Sequence, residues 1–153
     1  LFGELGWSEN GTLYVGRNND SVQPLAFVSA LRVTASEALP AGAVVSFWNN
    51  NGVESARLAN AALGYPVMGF VPQAITSGSV GFVITAKGCI NSQALTESGT
   101  PLVTGTWFLS GANPGRLAST PVLPGSGHLH QQIGYSSGAN LIFDPSVAIA
   151  RVS

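Results

Sequence analysis

His128-Leu129-His130 is the sharpest local arrangement of chemistry-bearing side chains in this sequence. On an extended strand, residues at i and i+2 project to the same side, so both imidazoles would face one way and Leu129 the other. Around a three-fold axis, copies of such a pair would ring one transition-metal ion with imidazole nitrogens. The plainer reading is two polar strand residues facing solvent or a neighbouring chain. The flanking Gly125-Ser126-Gly127 also permits a loop, in which the shared direction is lost.

Other routes to catalysis find less support. Ser126 and His128 lie close in sequence, but there is no Gly-x-Ser-x-Gly elbow. A triad also needs a group that orients the histidine, and Asp144, followed by Pro145, reads as a turn residue. The seven acids (Glu4, Glu9, Asp20, Glu37, Glu54, Glu97, Asp144) are scattered, mostly beside turns. Glycoside cleavage needs two of them at a separation of about 5–9 Å, which no local spacing here dictates. Cys89 is the single cysteine, which excludes an intrachain disulfide. It reads as a buried thiol at a strand end, with no adjacent base to activate it. No enzymatic activity is expected.

The aromatic residues raise a binding alternative. Trp7, Trp48, Trp107, Tyr14, Tyr65 and Tyr135 would stack on sugar faces if several were exposed together. Trp48 and Trp107 sit within apolar runs and are expected in the core. Trp7 is the candidate anchor between subunits, with intrachain packing as its alternative. Asn10-Gly11-Thr12 matches a glycosylation sequon, but the Asn-Gly turn explains it fully.

The elements that would position these residues are short and β-type. Runs of four to six residues, rich in β-branched and aromatic types, recur between Gly and Pro. They are Thr12–Val15, Leu31–Thr34, Val44–Trp48, Val67–Val71, Val80–Thr85, Thr106–Leu109, Gln131–Tyr135, Asn140–Phe143 and Val147–Ala150. This predicts an all-β protein, an antiparallel sandwich or barrel-like domain. Asn10-Gly11 and Asn50-Asn51-Gly52 suit tight type I′ turns, and Leu39-Pro40-Ala41-Gly42 suits a type II turn. Ser137-Gly138 closes a last hairpin. Glu54 to Leu63, ending at Gly64, has the propensity for a short helix. A soft boundary near Phe27–Ala30 divides the chain into a small β-hairpin module, residues 1–28, and a sandwich or barrel domain, residues 29–153.

Composition bounds the partners. Hydrophobic residues make up 45% of the 153, but charged residues only 8%, against roughly 25% in an average soluble domain. Such a surface is either polar and uncharged, or buried against neighbours. Six basic residues spread singly, with a net charge of -1, form no patch for nucleic acid. No apolar run has the length of a membrane span. The start, Leu1-Phe2-Gly3-Glu4, has no signal-peptide layout and reads as an excerpt from a longer chain.

Two stretches carry a family likeness. Gly3-Glu4-Leu5-Gly6-Trp7 followed by Gly11-Thr12-Leu13-Tyr14-Val15-Gly16 resembles a unit of bacteriophage tail fibres and neck appendages. The resemblance implies that Leu13 and Tyr14 pack on a neighbouring chain. Ala41-Gly42-Ala43-Val44-Val45, Gly69-Phe70-Val71, Thr76-Ser77-Gly78, Gln132-Ile133-Gly134-Tyr135 and Leu141-Ile142-Phe143 are together similar to a β domain of phage virion proteins. Ser46-Phe47-Trp48 and His128–His130 depart from that pattern, which leaves the particular virion role open. Trimeric phage fibre tips carry a similar His-x-His. The resemblance implies a non-enzymatic virion structural protein on the particle exterior: a trimeric tail fibre or appendage segment for attachment or assembly. Its partners would be further copies, other virion proteins and a host receptor or glycan. A capsid decoration or head-fibre protein is the alternative within that class, and a monomeric carbohydrate-binding module is the alternative outside it.

Overall fold

The computed structural model describes the backbone of three early strands (residues 5–7, 13–18 and 21–24) and then residues 30–121, 125 and 127–150. The early strands are β1 (Leu5–Trp7), β2 (Leu13–Asn18) and β3 (Ser21–Pro24). They pair antiparallel in the order β1-β2-β3, with Trp7 opposite Leu13 and Gly6 opposite Tyr14. The Asn10-Gly11 turn lies outside the described residues.

The next strands are β4 (Ala30–Ala35), β5 (Val44–Asn50), β6 (Val53–Leu58), β7 (Gly69–Phe70) and β8 (Val80–Ile84). They close a barrel in the order β4-β6-β5-β7-β8. Every ladder is antiparallel except β4–β6, which runs parallel through Thr34–Ser55 and Ala35–Ala56. Closure leaves few unpaired backbone groups on these strands, which is how small β domains avoid exposed edges.

A second layer follows: β9 (Ile90–Asn91), β10 (Gly105–Leu109), β11 (Leu117–Ala118), β12 (Leu129–His130), β13 (Gln132–Ser136), β14 (Leu141–Phe143) and β15 (Ile149–Ala150). Five of these form an antiparallel sheet in the order β11-β10-β13-β14-β9, and β12 pairs with β15. The domain is therefore all-β, built from a closed five-stranded barrel with additional antiparallel sheets.

Strand alternation sorts the apolar residues into two cores. Val33, Ala35, Val45, Ala56, Val71, Ile75 and Val83 form one cluster, with Leu39. The neighbouring row Ala30–Ile84–Phe70–Val44, read across β4, β8, β7 and β5, turns the other way. It joins Trp107, Leu109, Ile133, Leu141 and Phe143 of the sheet in the larger cluster. Phe70 meets Phe143 edge-on across this junction, at 5.1 Å between ring centroids.

Buried polar side chains tie the layers together. The Gln131 amide accepts from Val67 N–H at 2.7 Å and donates to the Val67 and Ser146 carbonyls at 3.1 and 3.0 Å. Asn91 Nδ2 donates to the Gly42 carbonyl at 3.0 Å, fastening β9 to a barrel turn.

Several expectations are corrected. Glu54–Leu63 is not helical: its first half is β6 and its second half is a turn. Ala56 packs in the barrel cluster while Arg57 points to the other face, so tertiary pairing with β5 overrides helix propensity. Gly64 does adopt φ +72, but within that turn. Trp107 is buried as expected, whereas Trp48 is only half-buried, on the outer side of the β5–β6 hairpin. The type II turn starts one residue later than the sequence suggests: Ala43 N–H donates to Pro40 O at 3.1 Å, and Gly42 takes φ +83 at the third position. Asn51 (φ 52) and Gly52 (φ 88) turn the β5–β6 hairpin with positive φ twice, as read from the sequence.

Candidate interaction surface

The register of the five-stranded sheet fixes what its outward face presents. Ile90 on β9 stands opposite Ile142 on β14, Ile142 opposite Tyr135 on β13, and Tyr135 opposite Thr106 on β10. Strand alternation sends all four to the side away from the core, since Trp107, Leu141 and Phe143 between them are buried. Ile90 is 62% exposed, Ile142 43% and Tyr135 48%. They form a continuous apolar row across three strands, directly on the solvent side. Val147, beside β15, and Ile149, within it, are exposed as well, on the separate β12–β15 pair. Lone exposed apolar residues are ordinary, whereas these three are grouped by strand register.

Most of the described acids are engaged elsewhere, while the Lys87–Asp144 pair lies next to the row along β14. Of the described acids, Glu37 accepts the Leu58 N–H at 2.8 Å, Glu97 accepts the Ser110 hydroxyl at 2.8 Å, and Glu54 lines a groove beside Trp48. Asp144 stands 3.9 Å from Lys87 with both side chains two-thirds exposed, a geometry that contributes little to stability.

The histidines do not form a metal centre. Among the described residues no three His, Cys, Asp or Glu side chains gather into a metal-binding group, so the His-x-His metal reading is overturned. The two rings have separate surroundings. His128 precedes β12 and folds back over Gly125, in a groove with Glu97, Ala112 and Pro121. His130 meets the edge of Phe108, 5.7 Å between centroids. Ser126, the nucleophile weighed beside His128, lies outside the described residues.

A groove of about 450 Å³ runs past Glu97, Ser98, Thr100, Val103, Trp107 and Asn113, sharing Glu97 and Ala118 with the His128 groove. Its polar groups serve the fold. Ser110 Oγ donates to Glu97 and accepts from Asn113 N–H, Asn113 Nδ2 donates to the Glu97 carbonyl, and the Trp107 indole N–H donates to Val103 O. Cys89 is half-buried against the larger core, where a structural thiol belongs. Trp7, Leu13 and Tyr14 are placed by backbone pairing in β1 and β2; their side chains lie outside the described residues.

Sequence reasoning missed Ile90 and Ile142 as surface residues. The signal available was Ile142 flanked by Leu141 and Phe143, where alternation must expose either the middle residue or both neighbours. No family model, curated protein or solved structure matches this chain. No helix among the described residues is long and apolar enough to cross a membrane.

Proposed function

We propose that this chain is a non-enzymatic structural subunit of a symmetric homo-oligomer, and that the assembly belongs to the exterior of a bacteriophage particle as a tail-fibre or appendage segment. The observation that carries the assembly reading is the exposed row Ile90–Ile142–Tyr135. In a chain with 8% charged residues, few ionised groups are present to keep such a row apart from a second copy. The virion placement is supported by the likeness of Gly3–Gly16 and of the Ala41–Phe143 stretches to phage structural proteins. A trimer is the state that this likeness favours. A capsid decoration role uses the same surface, and labelled imaging of the particle distinguishes the two. The non-catalytic reading is supported by the dispersal of the described carboxylates and by the structural use of Glu97 and Ser110.

The deciding measurement is mass in solution. An assembly subunit runs at a multiple of the 15.7 kDa chain mass at micromolar concentration. A single well-behaved species at the chain mass removes the reading and leaves the monomeric binding module in its place.

A further inference from the structure

β8 carries a second exposed apolar stretch, on the barrel rather than on the sheet. Val83 packs inside the barrel cluster, so Val80, Phe82 and Ile84 alternate to the outer side. Ile84 lies under the sheet, in the larger cluster, and is 6% exposed. Phe82 and Val80, beyond that cover, are 38% and 50% exposed. They border a groove of about 300 Å³ with Pro72, Ile75, Thr76 and Ser79, and none of its lining side chains is charged. The cation beside it is Arg32, which stands opposite Phe82 across the β4–β8 ladder. Arg32 is exposed and belongs to no ion pair among the described residues.

The row on the sheet is the counterpart of this groove in shape, polarity and charge. Ile90, Ile142 and Tyr135 project from a sheet face, whereas Phe82 and Val80 wall a hollow. Tyr135 joins an apolar ring to a hydroxyl, which suits walls that mix Phe82, Val80 and Pro72 with Thr76 and Ser79. Asp144 follows Ile142 by two residues and is two-thirds exposed. Its only ion-pair partner among the described residues is the equally exposed Lys87 at 3.9 Å, a loose contact beside the bidentate pairing that a guanidinium offers. Row and groove share no residue, so one contact between two copies covers both. A row-to-row contact about a two-fold axis would leave the groove in water.

We infer that the Ile90–Ile142–Tyr135 row of one copy docks into the Phe82–Val80 groove of the next, head to tail, with Asp144 set against Arg32. The inference rests on the assembly reading above and gives it a direction: each copy offers one row and one groove. Such contacts close into a ring when the rotation between copies divides a full turn.

The test compares masses in solution for the parent, Ile142→Lys, Phe82→Glu and a mixture of the two variants. Glu at position 82 faces Arg32 across the ladder, so the fold is kept while a charge enters the groove. Should Phe82→Glu melt early, Val80→Lys takes its place. Each variant alone is expected at the single-chain mass. The mixture is expected to form a two-chain species and nothing larger, because one variant keeps its row and the other its groove. It is measured at the highest attainable concentration, since a single contact lacks the reinforcement of a closed ring. Arg32→Glu is expected to weaken assembly by up to about fivefold, and Asp144→Arg in the same chain to restore it. Phe82→Glu assembling as the parent does, a mixture that stays at the single-chain mass, or no recovery in the double charge variant overturns the head-to-tail contact, while assembly through the row stands. A parent at the single-chain mass overturns both readings.

Discussion

Tyr135 stands directly opposite Ile142 across the β13–β14 ladder, and both side chains are open to solvent on the face away from the core. A cross-strand aromatic–β-branched pair of this kind contributes to sheet stability by itself, by roughly 0.2–1 kcal/mol. Its larger consequence is the water it keeps ordered. Covering that pair and the adjoining Ile90 by another copy would return the same free energy that burial returns in a core.

The first prediction concerns this row. Ile142→Lys places a charge at its centre without touching Leu141 or Phe143, which point to the other face. The variant is expected to fold with nearly the parent stability and to run as a monomer by sedimentation at concentrations where the parent is assembled. A parent and variant of equal mass would show that the row is not the contact surface.

Gln131 gives the second. It is 3% exposed and satisfies both backbone groups of Val67, which is 4% exposed and 64 positions away in sequence. Gln131→Leu keeps the bulk but leaves the Val67 N–H and C=O without partners in a dry site. Each orphaned group costs about 1–3 kcal/mol, so a loss of about 2–6 kcal/mol is expected in denaturant unfolding. A loss under about 0.5 kcal/mol, within the range of ordinary surface substitutions, would mean that water reaches Val67.

Much of this architecture was legible because the relevant signals are local. The run Val80–Ile84 and the Asn51-Gly52 turn announce themselves through β-branching and positive φ. What was not legible depends on partners distant in sequence. Val53–Leu58 carries helical propensity and becomes a strand only because β5 and β4 flank it, one of them in parallel. β9, β11 and β12 are two residues each, too short for any periodicity to register. Arg57 stacks on Trp48 from the adjacent strand and on Tyr65 from a loop, and no spacing along the chain encodes that meeting. The apolar row was hidden for the same reason: Ile90 and Ile142 are neighbours only through register.

The third prediction separates backbone strain from steric exclusion. At Gly42 the backbone has φ +83, and an added Cβ would lie 1.7 Å from the Gln93 carbonyl oxygen. At Gly52 the φ is +88, but nothing lies within 4 Å of that position. Gly52→Ala therefore carries only the left-handed cost, about 1–2 kcal/mol. Gly42→Ala must also displace the chain at Gln93 and with it the Asn91–Gly42 hydrogen bond. It is expected to abolish cooperative folding or to lower the melting temperature far more than Gly52→Ala. Equal melting temperatures for the two would show that the Gln93 segment yields freely.

The last prediction tests whether barrel and sheet share one core. Phe143 is fully buried on the sheet, Phe70 is 4% exposed on the barrel, and their rings meet edge to face. Phe143→Ala removes the ring from a site with no solvent access, and such truncations cost about 3–5 kcal/mol. Phe70→Leu alone loses the aromatic edge but keeps most of the bulk. If the two layers unfold together, both single variants and the double variant show one cooperative transition. The Phe70–Phe143 coupling then measures about 0.5–1.5 kcal/mol in the double-mutant cycle. Two separated transitions in Phe143→Ala, with the barrel surviving the loss of the sheet, would contradict that unity. In that case the Gln131–Val67 and Asn91–Gly42 hydrogen bonds would be contacts between two independently stable layers, and the exposed row would sit on a sheet able to detach from the barrel behind it.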